Sequence, residues 1–237
     1  MYQHHQDRPT PHHGLDIAKG NIWDSEAVNI FGFNRSIGTD WETVWNDGDN
    51  YTYPSSAVQM SVISTSASDT MDIKIFGLDA NYEEISETIT LTGTVAVTTS
   101  SSFYRINSAI ILSGSNVGDI SISEGGTTYG FIEAELGTTQ STVYTVPAGH
   151  SLYLFRIDGN SATVTGSQYL FIRNVVTKGG RTLRVAEATF ATSQVSYDRQ
   201  IPFKIEEKSD FHFESKSSAS SNELSLFIEA VLVRNKS

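Results

Sequence analysis

The chain has no cysteine. A disulfide-stapled domain and a thiolate-held metal are therefore both excluded. Long apolar runs are missing too. No uninterrupted aliphatic run exceeds the four residues of Ala109 to Leu112, far too short to span a bilayer, so no membrane partner is expected. The opening MYQHHQDRPTPHHG lacks an apolar segment and does not read as a secretory signal. Bases are scarce: 16 against 27 acids, a formal net charge of −11. An acidic surface repels phosphate, which argues against a nucleic-acid partner. Helical periodicity is nearly absent.

Catalytic constellations are equally sparse. There is no nucleophile elbow, HExxH helix or Walker loop, and Gly125-Gly126 is followed by no helix and no phosphate-binding lysine. His150 and Ser151 are adjacent, so on a strand they point to opposite faces. Asp210 and His212 share a face, as do Glu133 and Glu135 at about 7 Å, a separation that suits inverting glycoside hydrolysis. A solvated polar sheet face accounts for both pairs. The chain therefore reads as a non-enzyme with no cofactor.

What the sequence does contain is β-structure. Val, Ile, Thr, Tyr and Phe dominate, spaced by Ser and Gly, and the fold class is all-β. The organising stretch is TVYTVPAGHSLYLFRI, residues 142–157, which reads as strand, turn, strand. Pro147-Ala148-Gly149 makes the turn. Leu152 and Leu154 point one way, and Tyr153, Phe155 and Ile157 the other. Before it lie about six strands at the spacing of a sandwich, with clean alternation at Met71, Ile73 and Ile75. From it to the end of the chain come about eight, a number that suits a jelly roll. Leu224, Leu226, Ile228, Ala230 and Leu232 all fall on one face of the last.

The expected organisation is an extended N-terminal arm over 1–22, a β-sandwich over 23–123, a Gly-rich linker over 124–141 and a jelly-roll-like unit over 142–237. The arm is too polar to offset backbone ordering by itself, and suits docking on a neighbouring protein. Its histidine pairs, His4-His5 and His12-His13, are poorly spaced for one metal ion.

Two groups of residues stand out as candidate sites. Trp41, Trp45, Tyr51 and Tyr53 could form an aromatic platform for sugar rings, or could cap a core edge or interface. Between them, Asp47, Asp49 and Asn50 could ligate calcium, but the glutamate that closes a twelve-residue calcium loop is missing. Metal-independent folding is expected. Phe227, Val231 and Val233 lie opposite the Leu224–Leu232 face, so the last strand is apolar on both sides and is expected to meet a second subunit.

Two passages together carry a resemblance. One is WETVWNDGDNYTYPSSAVQMSVIS with IKIFGLDANYEEISETITLTG and SFYRINSAIILSG; the other is TVYTVPAGHSLYLFRI with RQIPFKIEEKSDFHFESKSSASSNELSLFIEAVLV. They resemble accessory structural proteins of tailed bacteriophage virions, over residues 30 to 233. The resemblance implies a non-enzymatic β-sandwich subunit on the exterior of a head, neck or tail, located in the virion after assembly in the host cytoplasm. It also implies a homo-oligomer, a trimer in preference to a dimer, that meets other virion proteins through its arm. A host-surface glycan-binding module is the alternative. No catalytic residue is carried over.

Overall fold

The computed structural model describes residues 13–161, 168–191, 193–219 and 222–236. Among these residues the fold is all-β apart from one short helix, α1 (His13–Ala18). The strands in chain order are β1 (Ser25–Ile37), β2 (Glu42–Thr43), β3 (Val58–Ser64), β4 (Asp72–Leu78), β5 (Glu84–Thr90), β6 (Val97–Phe103), β7 (Arg105–Ile111), β8 (Ile120–Glu124) and β9 (Thr127–Ile132). They continue as β10 (Tyr144–Thr145), β11 (His150–Asn160), β12 (Leu170–Lys178), β13 (Arg181–Phe190), β14 (Gln194–Ile205), β15 (Asp210–Ser217) and β16 (Asn222–Arg234).

The pairing follows a folded-over hairpin. β1 pairs with β16, β2 and β10 pair end to end with β15, β11 pairs with β14, and β12 with β13, all antiparallel. First joins eighth, second seventh, third sixth and fourth fifth, which is the jelly-roll scheme. Its two sheets run β1-β16-β11-β14 and β10-β15-β12-β13, with β2 beside β15. Between them lies one apolar core containing Ile30, Leu152, Leu154, Phe211, Phe213 and the Leu224–Leu232 face. Each fully buried Leu or Ile there contributes about 1.5–3 kcal/mol.

The remaining strands form a smaller sandwich inserted into the jelly roll. One sheet is β6-β3-β8-β9, the other β5-β4-β7, around Met60, Val62, Ile73, Ile75, Ile120 and Ile122. Two expectations are corrected here. The jelly roll does not begin at residue 142: its first strand, β1, was expected in the N-terminal sandwich but pairs with the last strand of the chain. The expected linker over 124–141 begins as a hairpin, β8-Gly125-Gly126-β9, whose two glycines have φ of 57° and 84°. Positive φ at both central residues is the two-residue hairpin geometry, and glycine adopts it without strain.

The insertion interrupts the second jelly-roll strand. The chain leaves after Val44 and returns at Thr142. Val44 N–H donates to Phe213 O, Thr142 N–H to Val44 O (3.0 Å) and Asn46 N–H to Gln140 O (3.2 Å). The Thr142 hydroxyl also reaches Val44 O and accepts from Phe213 N–H. Exit and re-entry are thus stitched side by side. Gly32 of β1 lies over this crossing, where a Cβ would fall 2.4 Å from Thr142 Cγ2 and 2.7 Å from Val44 O. Only a residue without a side chain fits.

The expected extended arm is corrected in part. Residues 1–12 lie outside the described residues, but 13–18 are helical. Lys19 N–H closes on Leu15 O, and Gly20, at φ +70°, ends the helix in the left-handed conformation beside β1.

Candidate interaction surfaces

The four candidate aromatics split between two environments. Trp45 and Tyr51 are buried, and with Val143 they form a small core of their own beneath the crossing. Trp45, Tyr51 and Tyr53 stack edge to face, with centroids 5.1 and 5.0 Å apart. Their polar ends are occupied: Trp45 Nε1 donates to Asp49 O (3.2 Å), Tyr51 OH to Tyr129 O (3.2 Å) and Tyr53 OH to Phe211 O (3.3 Å). Burial drives the Tyr51 and Tyr53 phenols above their ordinary pKa. Trp41 is half-exposed, but the Arg173 guanidinium lies 3.9 Å over its ring and Lys216 Nζ lies 5.0 Å from it. The sugar platform is therefore not assembled. Three of its members join the two cores, and the fourth is covered by cations.

The tightest polar site couples insert to jelly roll. Arg105 of β7 makes a bidentate pair with Asp210 of β15, Nε to Oδ1 at 2.7 Å and Nη2 to Oδ2 at 2.9 Å. Its Nη1 donates to Pro54 O and Tyr104 O, and its plane rests 3.9 Å from the Tyr104 ring centroid. Asp210 Oδ1 also accepts from Thr145 Oγ1 at 2.7 Å. Both side chains are buried and every contact is directional, the condition under which a buried ion pair is held rigidly. No part of the sequence pointed to Arg105; a lone arginine among insert residues that hold twelve acids was the available signal.

His212 and Asp210, expected on one face of a strand, do not meet. Asp210 belongs to Arg105. His212 is buried, with Nδ1 3.1 Å from Tyr53 OH and Nε2 3.4 Å from Glu214 Oε1; the other Glu214 oxygen takes Arg173. Desolvation pushes the Glu214 carboxyl up, but its bonds to His212 and Arg173 prevail and hold it below the ordinary range. The group is enclosed and its members satisfy one another. Glu133 and Glu135 are not on a strand, because β9 ends at Ile132. Glu135 sits in a turn at φ 68°, and Glu133 pairs with Arg35 at 2.7 Å. No group of three or more metal-ligating side chains converges among the described residues, and Asp47 and Asp49 are exposed.

The outer face of the β1-β16-β11-β14 sheet is the open apolar surface. Register places Phe31 directly opposite Phe227, Ala27 opposite Val231, and Val231 opposite Tyr153. A bulge between Leu154 and Arg156 turns both Phe155 and Arg156 outward and returns Ile157 to the core side. Phe31, Phe155 and Phe227 are 40%, 38% and 36% exposed, and Val231 and Val233 are half-buried. The Arg156–Asp158 pair (2.8 Å) and Glu229 interrupt the patch. The structure thus brings the expected interface residues Phe227, Val231 and Val233 onto one outward face. It adds Phe31, whose place beside them depends on β1 pairing with β16.

No protein family and no curated protein sequence matches this chain. Among solved structures, one of the infectious bursal disease virus Gt strain is 10% identical, covering 90% of this chain and 78% of that one at a TM-score of 0.22. The VP2 subviral particle of infectious bursal disease virus is 11% identical, covering 90% and 77%, at 0.20. Likeness at these scores carries no argument about fold or role.

Proposed function

We propose that the chain is a non-enzymatic structural subunit of a virion, on the exterior of a tailed-phage head, neck or tail. The observation that carries this reading is the jelly-roll pairing of the strands, an architecture that recurs in viral capsid and lectin domains. The sequence resemblance points the same way. The outward Phe31–Phe227 face supplies a docking surface on the particle, either to a neighbouring copy or to another virion protein. Homo-oligomerisation, as a trimer on the strength of the resemblance, and anchoring through residues 1–22 complete the proposal. The buried Trp45 and Tyr51 weigh against the glycan-binding alternative.

The test is quantitative mass spectrometry of purified particles from a phage carrying the gene. The chain is expected at a fixed multiple of the major capsid or tail protein, and Phe227→Asp should lower that multiple while the purified subunit stays folded. Absence of the chain from purified particles refutes the proposal.

A further inference from the structure

Two features of the molecule lie on opposite edges of one sheet. In the order β1-β16-β11-β14, β1 and β14 are the two free edges, about 14 Å apart across three strand spacings.

On the β14 edge, Leu154 pairs with Phe203 and Arg156 with Asp198, so residues 199–202 loop out of the ladder. Pro202 lacks the N–H that would continue it. Ile201, on this bulge, is 83% exposed. Beside it, the Arg199 guanidinium is held 5.5 Å from the Tyr197 ring centroid and 5.6 Å from that of Phe203, and it has no acidic partner among the described residues. Between Arg173 and Lys204 the chain has six cations and only two carboxylates.

The β1 edge has the opposite character. Between it and β5, itself an end strand, lies a cleft of about 410 Å³ lined by Glu26, Glu84, Phe76, Ile85, Asn107 and Tyr144. Neither glutamate has a cationic partner among the described residues. The surrounding insert, residues 46–141, has twelve acids and two bases, and one of those bases is the buried Arg105.

We propose that the β14 bulge of one copy seats in the β1–β5 cleft of a second copy, with Arg199 between Glu26 and Glu84 and Ile201 against Phe76, Ile85 and Tyr144. A bulge cannot reach its own cleft across the sheet. Bulge-to-bulge pairing would bring like charges together. The contact is therefore head to tail, and it closes into a ring or runs as a chain. It does not depend on the virion reading.

Sedimentation velocity of the full chain over the micromolar range tests this, at low and at high salt. The wild type should self-associate, less at high salt. Ile201→Asp and Arg199→Glu should each weaken association at least about tenfold, as loss of a central anchor does. Glu84→Arg should do the same, and Arg199→Glu combined with Glu84→Arg should recover part of it. All three positions are on the surface, and circular dichroism checks that each variant keeps its fold. A wild type that stays monomeric at low salt overturns the proposal. So does association that survives Ile201→Asp, or that responds to Ile201 and Arg199 but not to Glu84, which would put the bulge against a different partner surface.

Discussion

Replacing Asp210 by alanine should be among the most damaging single changes in the protein. Arg105 would keep Pro54 O and Tyr104 O as acceptors, but its Nε and Nη2 would face an empty, buried space. Thr145 would lose its acceptor as well. Leaving one member of a buried pair uncompensated costs about 3–5 kcal/mol, a large share of the roughly 5–15 kcal/mol that holds a typical protein folded. For a chain of this size that corresponds to a melting temperature about 6–20 °C lower. The pair is not thereby worth that much. Arg105→Met with Asp210→Leu removes both charges and fills the site with apolar volume, and should be less destabilised than either single variant. Urea unfolding followed by tryptophan fluorescence and far-ultraviolet circular dichroism gives all four corners of the cycle. If Asp210→Ala costs less than about 1 kcal/mol, the site is wet or rearranges, and the pair does not couple insert to jelly roll.

Three further outcomes are expected. Buried Asp69 accepts from Ser64 Oγ, Val117 N–H and Gly118 N–H; desolvation acts to raise its pKa, but these bonds outweigh it and hold the carboxyl below its ordinary value. A depressed folded-state pKa gives stability that is present above the unfolded value and lost as pH falls through the folded one. Asp69→Asn should therefore cost about 2–3 kcal/mol at neutral pH, and its difference from wild type should shrink in denaturation series taken below the ordinary carboxylate range. Gly32→Ala should destabilise by about 1–3 kcal/mol, since its Cβ would meet both Val44 O and Thr142; a neutral thermal melt would show that the crossing has slack. Chelator should leave the melting temperature unchanged by calorimetry, whereas a drop of several degrees would revive a calcium site at Asp47–Asn50.

Local pattern carried much of the fold. The Leu224–Leu232 alternation is buried as expected, and so are Leu152 and Leu154, because a strand with one face in a core must repeat every second residue. Parity failed where the ladder slips. Ile157 was expected beside Tyr153 but faces the core, because the Phe155–Arg156 bulge adds one residue. Alternation also breaks along β7 at the slip between Phe76 and Gly77: Arg105, Ile106 and Ala109 are buried, while Leu112, just past the strand, is 47% exposed. The pairing of β1 with β16 leaves no local trace, since its two members lie at opposite ends of the chain. The insertion is hidden in the sequence for a related reason. A strand that stops at Val44 and resumes at Thr142 looks like two unrelated fragments until β15 aligns them. The aromatic cluster was found as a group, but composition could not tell a sugar platform from a buried seam.

The β1–β16 pairing also sets an order of events during synthesis. Of the strands among the described residues, β1 leaves the ribosome ahead of all the others, and β16, with which it pairs, after them. At ordinary elongation rates it waits about 10–40 s, with both edges unpaired and Phe31 and Phe33 in water. The insert needs nothing downstream of Ser141 for its own two sheets and can fold during that interval. A messenger truncated before residue 222 would thus yield a chain with a finished insert and an unclosed jelly roll whose longest strand offers a free template to its neighbours.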